Sequence, residues 1–312
     1  MVEYPIELSG LRKSYGKVVA LQGVDLQVPA GQITGFLGPN GAGKTTTIRC
    51  LLDLIRPDAG VVRVLGYDPA IHSKDIRQQV GYLPGELNFD SNMTVSSILK
   101  YFNGLRGNQA SAAFIRTLAE RLGLDMHISI KNLSKGNKQK VGIVQAFMHQ
   151  PHLLLLDEPT SGLDPLMQQE VYSMIREAKA KGVTVFFSSH VISEVETIAD
   201  RAVIIRDGRI VEETEPGRFI EMTVRTIRVR FRNPPPDTIL SGLQGISIQR
   251  KDDDREITFK VEGDIDQFVK MIAQFQIVDI ESEHLSLEEA FLTYYRRKDQ
   301  GVMSKGVNVH DK

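Results

Sequence analysis

Residues Gly38-Pro39-Asn40-Gly41-Ala42-Gly43-Lys44-Thr45-Thr46 place two glycines around four residues and follow them with Lys-Thr. That spacing wraps backbone around phosphates. The glycines let successive N–H groups converge on phosphate oxygens, Lys44 is long enough to reach the β and γ phosphates, and the Thr45 hydroxyl is a ligand for Mg²⁺. A merely glycine-rich turn is the plain alternative until other motifs are counted. Upstream, Gln32 to Leu37 reads as a buried strand; downstream, Thr45 to Leu54 reads as a helix with Ile48, Leu51, Leu52 and Ile55 on one side. The phosphates would sit at the N-terminus of that helix.

The bulk composition narrows the field. At 312 residues the chain has room for a large domain and a smaller one. A net charge of −1 and a pI of about 6.7 give no global basic field, so no nucleic-acid partner is expected. The single cysteine, Cys50, rules out an intrachain disulfide framework and reads as a small buried hydrophobe in a reducing compartment. Met1 to Ile6 lacks the basic-then-apolar pattern of a secretory signal, and no apolar run approaches the roughly 20 residues that span a bilayer. Service to a membrane process would therefore need another chain to do the crossing. Apart from His190 the histidines show no ligand spacing, and no zinc site is expected.

Along the chain, Ile6 to Leu11 and Val24 to Val28 read as strands, and residues 88–150 read as a helical insert, with Val95, Ile98, Leu99 and Phe102 and then Phe114, Ile115, Leu118 and Leu122 at helix spacing. From Leu153 short apolar strands alternate with helices, the pattern of a parallel sheet covered on both faces. The composition shifts after Gly217, and a domain boundary is expected near residue 222. Beyond it strands at Ile227 to Phe231, Ile246 to Gln249, Ile257 to Val261 and Ile277 to Ile280, with helices near Ile239 and at Ile265 to Ala273, follow the βαββαβ order of a ferredoxin-like arrangement. A last amphipathic helix carries Leu287, Ala290, Phe291 and Tyr294, and a polar tail follows Gly301.

Four leucines, Leu153 to Leu156, run into Asp157-Glu158-Pro159, which sets two carboxylates at the C-terminal tip of a buried strand. Phosphoryl hydrolysis needs that pair: Asp157 would hold the Mg²⁺ shell while Glu158 polarises the attacking water. His190 follows the strand Val183 to Phe187 and leaves the sheet on the same edge, within reach of a γ phosphate or that water. Leu133-Ser134-Lys135-Gly136-Asn137 opens another helix and offers a hydroxyl and free N–H groups, equally the pattern of an ordinary N-cap.

Taken in order, these motifs resemble the ATP-binding subunit of an ABC transporter. The phosphate loop Gly38 to Thr46 resembles Walker A, Leu153 to Glu158 resembles Walker B with its catalytic glutamate, and Leu133 to Asn137 resembles the LSGGQ signature. Ser161-Gly162-Leu163-Asp164 resembles the D-loop, His190 the switch histidine and Tyr15 the aromatic that stacks on adenine. The likeness covers roughly residues 4 to 217. It implies an α/β P-loop NTPase domain of the ABC type over residues 1–221, with a mixed sheet and a helical subdomain at about 88–150. A small α+β, ferredoxin-like domain over 222–300 and a tail over 301–312 would follow.

The resemblance further implies a composite site in a head-to-tail dimer, the nucleotide lying between Walker A of one copy and Ser134, Gly136 and Asn137 of the other. ATP and Mg²⁺ are the implied cofactors, and a separate membrane permease is the implied partner. Residues Leu285 to Leu292 are similar to the end of the small domain on ATPases that serve ABC-2 type export permeases. The chain would act in the cytoplasm, peripherally on the inner face of the membrane through its permease. Two positions depart from the family: the signature carries Lys135 and Asn137, and Gly85 stands where the Q-loop glutamine belongs. Neighbouring Glu86 is the expected substitute metal ligand, a solvated turn residue the alternative. Leu87, Phe89 and Met93 either meet the permease or pack beneath the insert's own helices. A soluble ABC ATPase acting on nucleic acid, ribosomes or cluster assembly is the competing class; the long insertions, fused second halves or basic extensions usual there are not evident.

Overall fold

The computed structural model of the chain describes residues 2–215, 224–233, 235–236, 245–251, 255–262 and 265–284. The helices expected near Ile239 and through Leu287, and the tail, lie outside these residues. The chain divides into two compact units, Met1–Glu215 and Pro216–Lys312.

Four strands open the first unit: β1 (Ile6–Tyr15), β2 (Val18–Val28), β3 (Ile33–Leu37) and β4 (Ala59–Val64). β1 lies between β2 and β4 in a three-stranded antiparallel sheet. Both β1 and β2 run further than local hydrophobicity marks. Pairs such as Arg12 with Gln22 and Lys13 with Leu21 are held by the antiparallel ladder, which satisfies backbone groups whatever the side chain.

The apolar runs identified above form a second sheet with β3. It contains β5 (Val80–Leu83), β6 (Leu153–Asp157), β7 (Thr184–Ser189), β8 (Arg201–Arg206) and β9 (Arg209–Thr214), in the order β5-β6-β7-β3-β8-β9. The pairs from β5 to β8 are parallel, and all residues of β3, β6 and β7 are buried. β9 departs from the purely parallel pattern and turns back antiparallel. Its two-residue link, Asp207-Gly208, has positive φ at both positions (47° and 71°), and Asp-Gly suits a primed hairpin turn.

Helix α1 (Lys44–Leu51) follows β3 and buries Ile48 and Leu51, while Leu52 just beyond it is 3% exposed and Ile55 packs at the margin of the same core. α2 (Pro69–Gln79) leads into β5. The insert contributes α3 (Val95–Leu105), α4 (Ala112–Arg121) and α5 (Lys135–Phe147). Thr94, Ser111 and Ser134 accept the N–H three residues on, so each helix starts at a hydroxyl cap. α6 (Pro165–Ala180) and α7 (Ile192–Ile198) complete the unit. Arg121 on α4 bonds Glu170 and Glu177 on α6, both at 2.7 Å, tying the insert to the rest of the unit. The two sheets share one apolar core through Ile6, Leu21, Phe36, Ile48, Leu155 and Phe186, with the Phe36 and Phe186 rings 5.2 Å apart.

In the second unit β10 (Val224–Phe231), β11 (Ile246–Lys251), β12 (Glu256–Glu262) and β13 (Ile277–His284) form an antiparallel sheet in the order β11-β12-β10-β13. α8 (Ile265–Ile272) lays Phe268, Met271 and Ile272 on it. First-strand and third-strand neighbours in the centre with the second and fourth at the edges is the strand order of a split βαβ.

Candidate nucleotide site

Between the end of β3 and the start of α1 the chain makes one loop, residues 38–43, and its geometry depends on glycine. Gly43 has φ 111°, and a Cβ there would lie 2.7 Å from Leu21 Cδ2 and 2.8 Å from the Ala20 carbonyl. No side chain caps α1 and no acidic residue lies in its first turn. The first-turn N–H groups, which lack intrahelical acceptors, and the positive end of the helix dipole therefore face the loop's mouth. Lys44 folds back across that mouth, Nζ donating to Gly38 O at 2.6 Å and Pro39 O at 3.1 Å. Burial lowers its pKa, and the charges of Glu158 and Asp157 oppose the shift.

The carboxylates stand opposite. Asp157, fully buried at the end of β6, accepts from Thr45 Oγ1 at 2.7 Å and from Ser188 Oγ at 2.5 Å. Glu158 has left the ladder. Its φ of 53° is in the left-handed region, a strain of roughly 1–3 kcal/mol for a non-glycine residue. Its N–H donates to Ser188 Oγ at 3.0 Å, which helps to hold that turn. The side chain then points between Lys44 and His190: Oε1 is 3.5 Å from Lys44 Nζ, and Oε2 is 2.8 Å from His190 Nδ1. Glu158 is one-fifth exposed and His190 half exposed.

A cavity of about 300 Å³ opens over this group, walled by Asn40, Gly41, Gly43 and Thr46 of the loop and by Gly85 and Glu86 across from them. Lys44, Thr45, Asp157 and Glu158 form its floor. A Cβ at Gly85 would lie 3.1 Å from Asp157 Oδ2, so a side chain at this position would reach the Asp157 carboxylate directly. Glu86, exposed, also lines a neighbouring groove of about 370 Å³ bordered by Leu52, Tyr82, Leu87, Phe89 and Phe102. Leu87, Phe89 and Met93 are half-buried, and Phe89 meets Phe102 edge-on at 6.2 Å.

Other expected site residues stand apart from this cavity. Ser134 Oγ caps α5 by accepting from Asn137 N–H at 3.2 Å, and Asp164 caps α6 by accepting from Met167 N–H at 3.0 Å. Gly136 packs so closely on the Gly162 carbonyl that a Cβ would lie 2.6 Å from it. Ser134, Gly136, Asn137 and Asp164 do not line the cavity, nor does Tyr15, half exposed at the end of β1 with Lys13 Nζ 5.8 Å from its ring. Gly38, Pro39 and Ala42 form the loop's underside, Ala42 N–H donating to Pro39 O at 3.2 Å. Sequence reasoning missed Ser188, which bridges Asp157 and Glu158, and Gln139, whose amide donates to the Glu158 and Pro159 carbonyls at 3.0 and 3.1 Å. The Ser188-Ser189 pair at a buried strand end was the available signal for the first.

A phosphate loop between strand and helix, with an aspartate and a glutamate at the tip of a parallel strand in the same sheet, defines a P-loop nucleotide hydrolase. Residues 21–161 match the ABC transporter family. The chain is 34% identical over 247 residues to Nod factor export ATP-binding protein I of Burkholderia lata, covering 78% of this chain and 81% of that protein. It is 32% identical over 296 residues to the daunorubicin/doxorubicin resistance ATP-binding protein DrrA of Streptomyces peucetius, covering 92% and 89%. The solved structure of an ATP-binding subunit of an ABC transporter aligns with a TM-score of 0.63 and 30% identity, over 69% of this chain and 91% of that one. The chain belongs to the ATP-binding subunits of ABC transporters, ATPases whose hydrolysis is coupled to transport. Among the described residues no helix is long and apolar enough to cross a membrane.

Proposed function

We propose that two copies of this chain clamp two ATP molecules head to tail and drive a separate ABC-2 type permease in the direction of export. The observation that carries this reading is the division of the site. Phosphate loop, carboxylates and His190 converge within one chain, while Ser134 caps a helix that lies outside the cavity and holds Gly136 and Asn137 in its first turn. A second copy can bring that hydroxyl and helix N-terminus to the open side of the phosphates. The similarity to a Nod factor export protein and to a drug-resistance protein supports export, and the chain would sit on the cytoplasmic face, held by its permease.

In this reading loop N–H groups and Lys44 hold the β and γ phosphates, Thr46 and Asn40 line their path, and Tyr15 stacks on adenine. Glu158 orients water and takes its proton, with His190 fixing the carboxylate through the 2.8 Å contact. Asp164 would face the partner copy from the D-loop. The Thr45 hydroxyl and the Asp157 carboxylate, 2.7 Å apart, are hard oxygen donors that fit Mg²⁺, with Glu86 a further donor across the cavity. No group of three or more His, Cys, Asp or Glu among the described residues could hold a metal alone, which suits an ion completing its shell from phosphate and water. When bound, Mg²⁺ neutralises the phosphate oxygens on which charge accumulates. The groove beside Glu86 is the proposed seat of the permease, because Glu86 lines both spaces. We assign residues 1–221 to the ATPase domain, 222–300 to the accessory domain, with a role in dimer contact or regulation, and 301–312 to a tail.

Complementation tests the composite site. Lys44→Ala and Ser134→Arg should each abolish turnover alone, yet mixed in equal amounts they should recover about a quarter of wild-type activity. Half of randomly paired dimers are mixed, and each holds one intact site of two. A mixture as inactive as its components would place the whole site in one chain and refute the dimer. Co-purification without any membrane permease would favour the soluble class.

A further inference from the structure

Beneath the Glu158–His190 pair lies a carboxylate that the hydrolytic chemistry does not touch. Glu194, on α7, is 8% exposed, and among the described residues no Lys, Arg or His forms an ion pair with it. Its two oxygens are met by hydroxyls. Thr160 Oγ1 donates to Oε1, Ser189 Oγ donates to Oε2 at 2.6 Å, and the Tyr172 hydroxyl faces the same group. A buried polar group is costly unless its partners are fully arranged around it, so this network demands one geometry of the segments that carry them.

Those segments flank the hydrolytic pair. Thr160 lies two residues beyond Glu158, and Ser189 immediately precedes His190. Ser189 Oγ also accepts from Val191 N–H at 2.9 Å, and the Ser189 carbonyl accepts from Gly38 N–H at 3.2 Å, so the same residue touches the phosphate loop. The paired β6–β7 ladder stops one residue short of Glu158 and two short of His190. It ends at Asp157 opposite Ser188, and Glu158 then turns into the left-handed region. Beyond the Glu158 N–H contacts to Ser188, Glu194 adds a second bridge, joining the Thr160 and Ser189 segments.

We propose that Glu194 is a positioning residue for ATP hydrolysis: its two carboxylate oxygens clamp the loops after β6 and β7, and so hold Glu158 and His190 at contact distance. The inference rests on reading Glu158 and His190 as the hydrolytic pair. A buried network that only stabilised the core would affect folding and not the chemistry.

Glu194→Gln keeps the side chain's size but offers one acceptor oxygen where two are used. We expect kcat for ATP hydrolysis to fall about 10- to 100-fold, the cost of misplacing a reacting group by up to an ångström, with KM for ATP within about twofold of wild type. In a His190→Ala background, where the pair is already broken, the same substitution should cost less than about threefold; a purely structural residue would impose its full loss in both backgrounds. Ser189→Ala and Thr160→Val remove the donors one at a time and should show the same dependence on background, which keeps the test decisive if Glu194→Gln folds poorly. Wild-type turnover in Glu194→Gln alongside impaired Glu158→Gln and His190→Ala would overturn this inference alone. Wild-type turnover in those last two would overturn the reading beneath it as well.

Discussion

Under the proposed mechanism Glu158→Gln isolates the chemical step, because the phosphate loop and Lys44, which would hold the nucleotide, are separate groups from the Glu158 carboxylate. Glutamine matches glutamate in length and can occupy the same left-handed turn, whose N–H still reaches Ser188. What disappears is one basic oxygen and one charge, 2.8 Å from His190 Nδ1 and 3.5 Å from Lys44 Nζ. Loss of a positioned general base costs about 10²- to 10⁴-fold in rate, or roughly 3–5 kcal/mol of transition-state stabilisation. Binding should survive. Lys44 keeps its contacts to the Gly38 and Pro39 carbonyls, the loop N–H groups are untouched, and removing a negative charge near the γ phosphate reduces repulsion. Phosphate release measured under single-turnover conditions should therefore drop by about two to four decades while ATP affinity stays level or rises. With ATP and Mg²⁺, size-exclusion chromatography should show a trapped dimer. Turnover within about threefold of wild type, or a rate loss matched by an equal loss of ATP affinity, would refute the assignment of Glu158 as the catalytic group.

Two further perturbations read other parts of the structure. His149 is 7% exposed, its Nε2 lies 3.2 Å from the Val80 carbonyl, and burial together with the nearby Arg106 charge pushes its pKa down to about 4. The unfolded chain therefore takes up the proton first as pH falls below about 6.5, so stability declines from there to about pH 4, by roughly 3 kcal/mol in all. His149→Gln should flatten the thermal midpoint between pH 7 and 5, and an unchanged slope would show that this histidine is not the group responsible. Glu86→Ala should raise the Mg²⁺ concentration for half-maximal ATPase by roughly tenfold if Glu86 supplies a donor to the metal. An unaltered Mg²⁺ dependence would remove Glu86 from the site and leave Gly85 without a substitute.

The proposed site was legible where its parts are local, because phosphate binding needs contiguous backbone. The nine residues from Gly38 to Thr46 carry their own geometry, and the leucine run ending in Asp157-Glu158 announces a buried strand with carboxylates at its tip. Sequence periodicity likewise located the insert helices and the four accessory strands, where one face is apolar. Less was legible where a residue acts through a partner distant in the chain. Gln139, Ser188 and Glu194 are ordinary polar residues until folding lays them against Glu158, Asp157 and Thr160. β1 and β2 ran on through polar residues for a similar reason: the ladder, not the side chains, holds their ends.

The sequence by itself determined that this chain cradles a nucleotide and carries the groups to hydrolyse it, since those motifs are local and their chemistry is written in residue type and spacing. Only the tertiary structure decided how they meet. It turned Glu158 out of the ladder toward Lys44 and His190, set Gly85 against Asp157, and left Ser134 at a helix start outside the cavity. Those relations depend on strand order and on buried donors satisfying buried acceptors across long stretches of chain, and no local pattern encodes them.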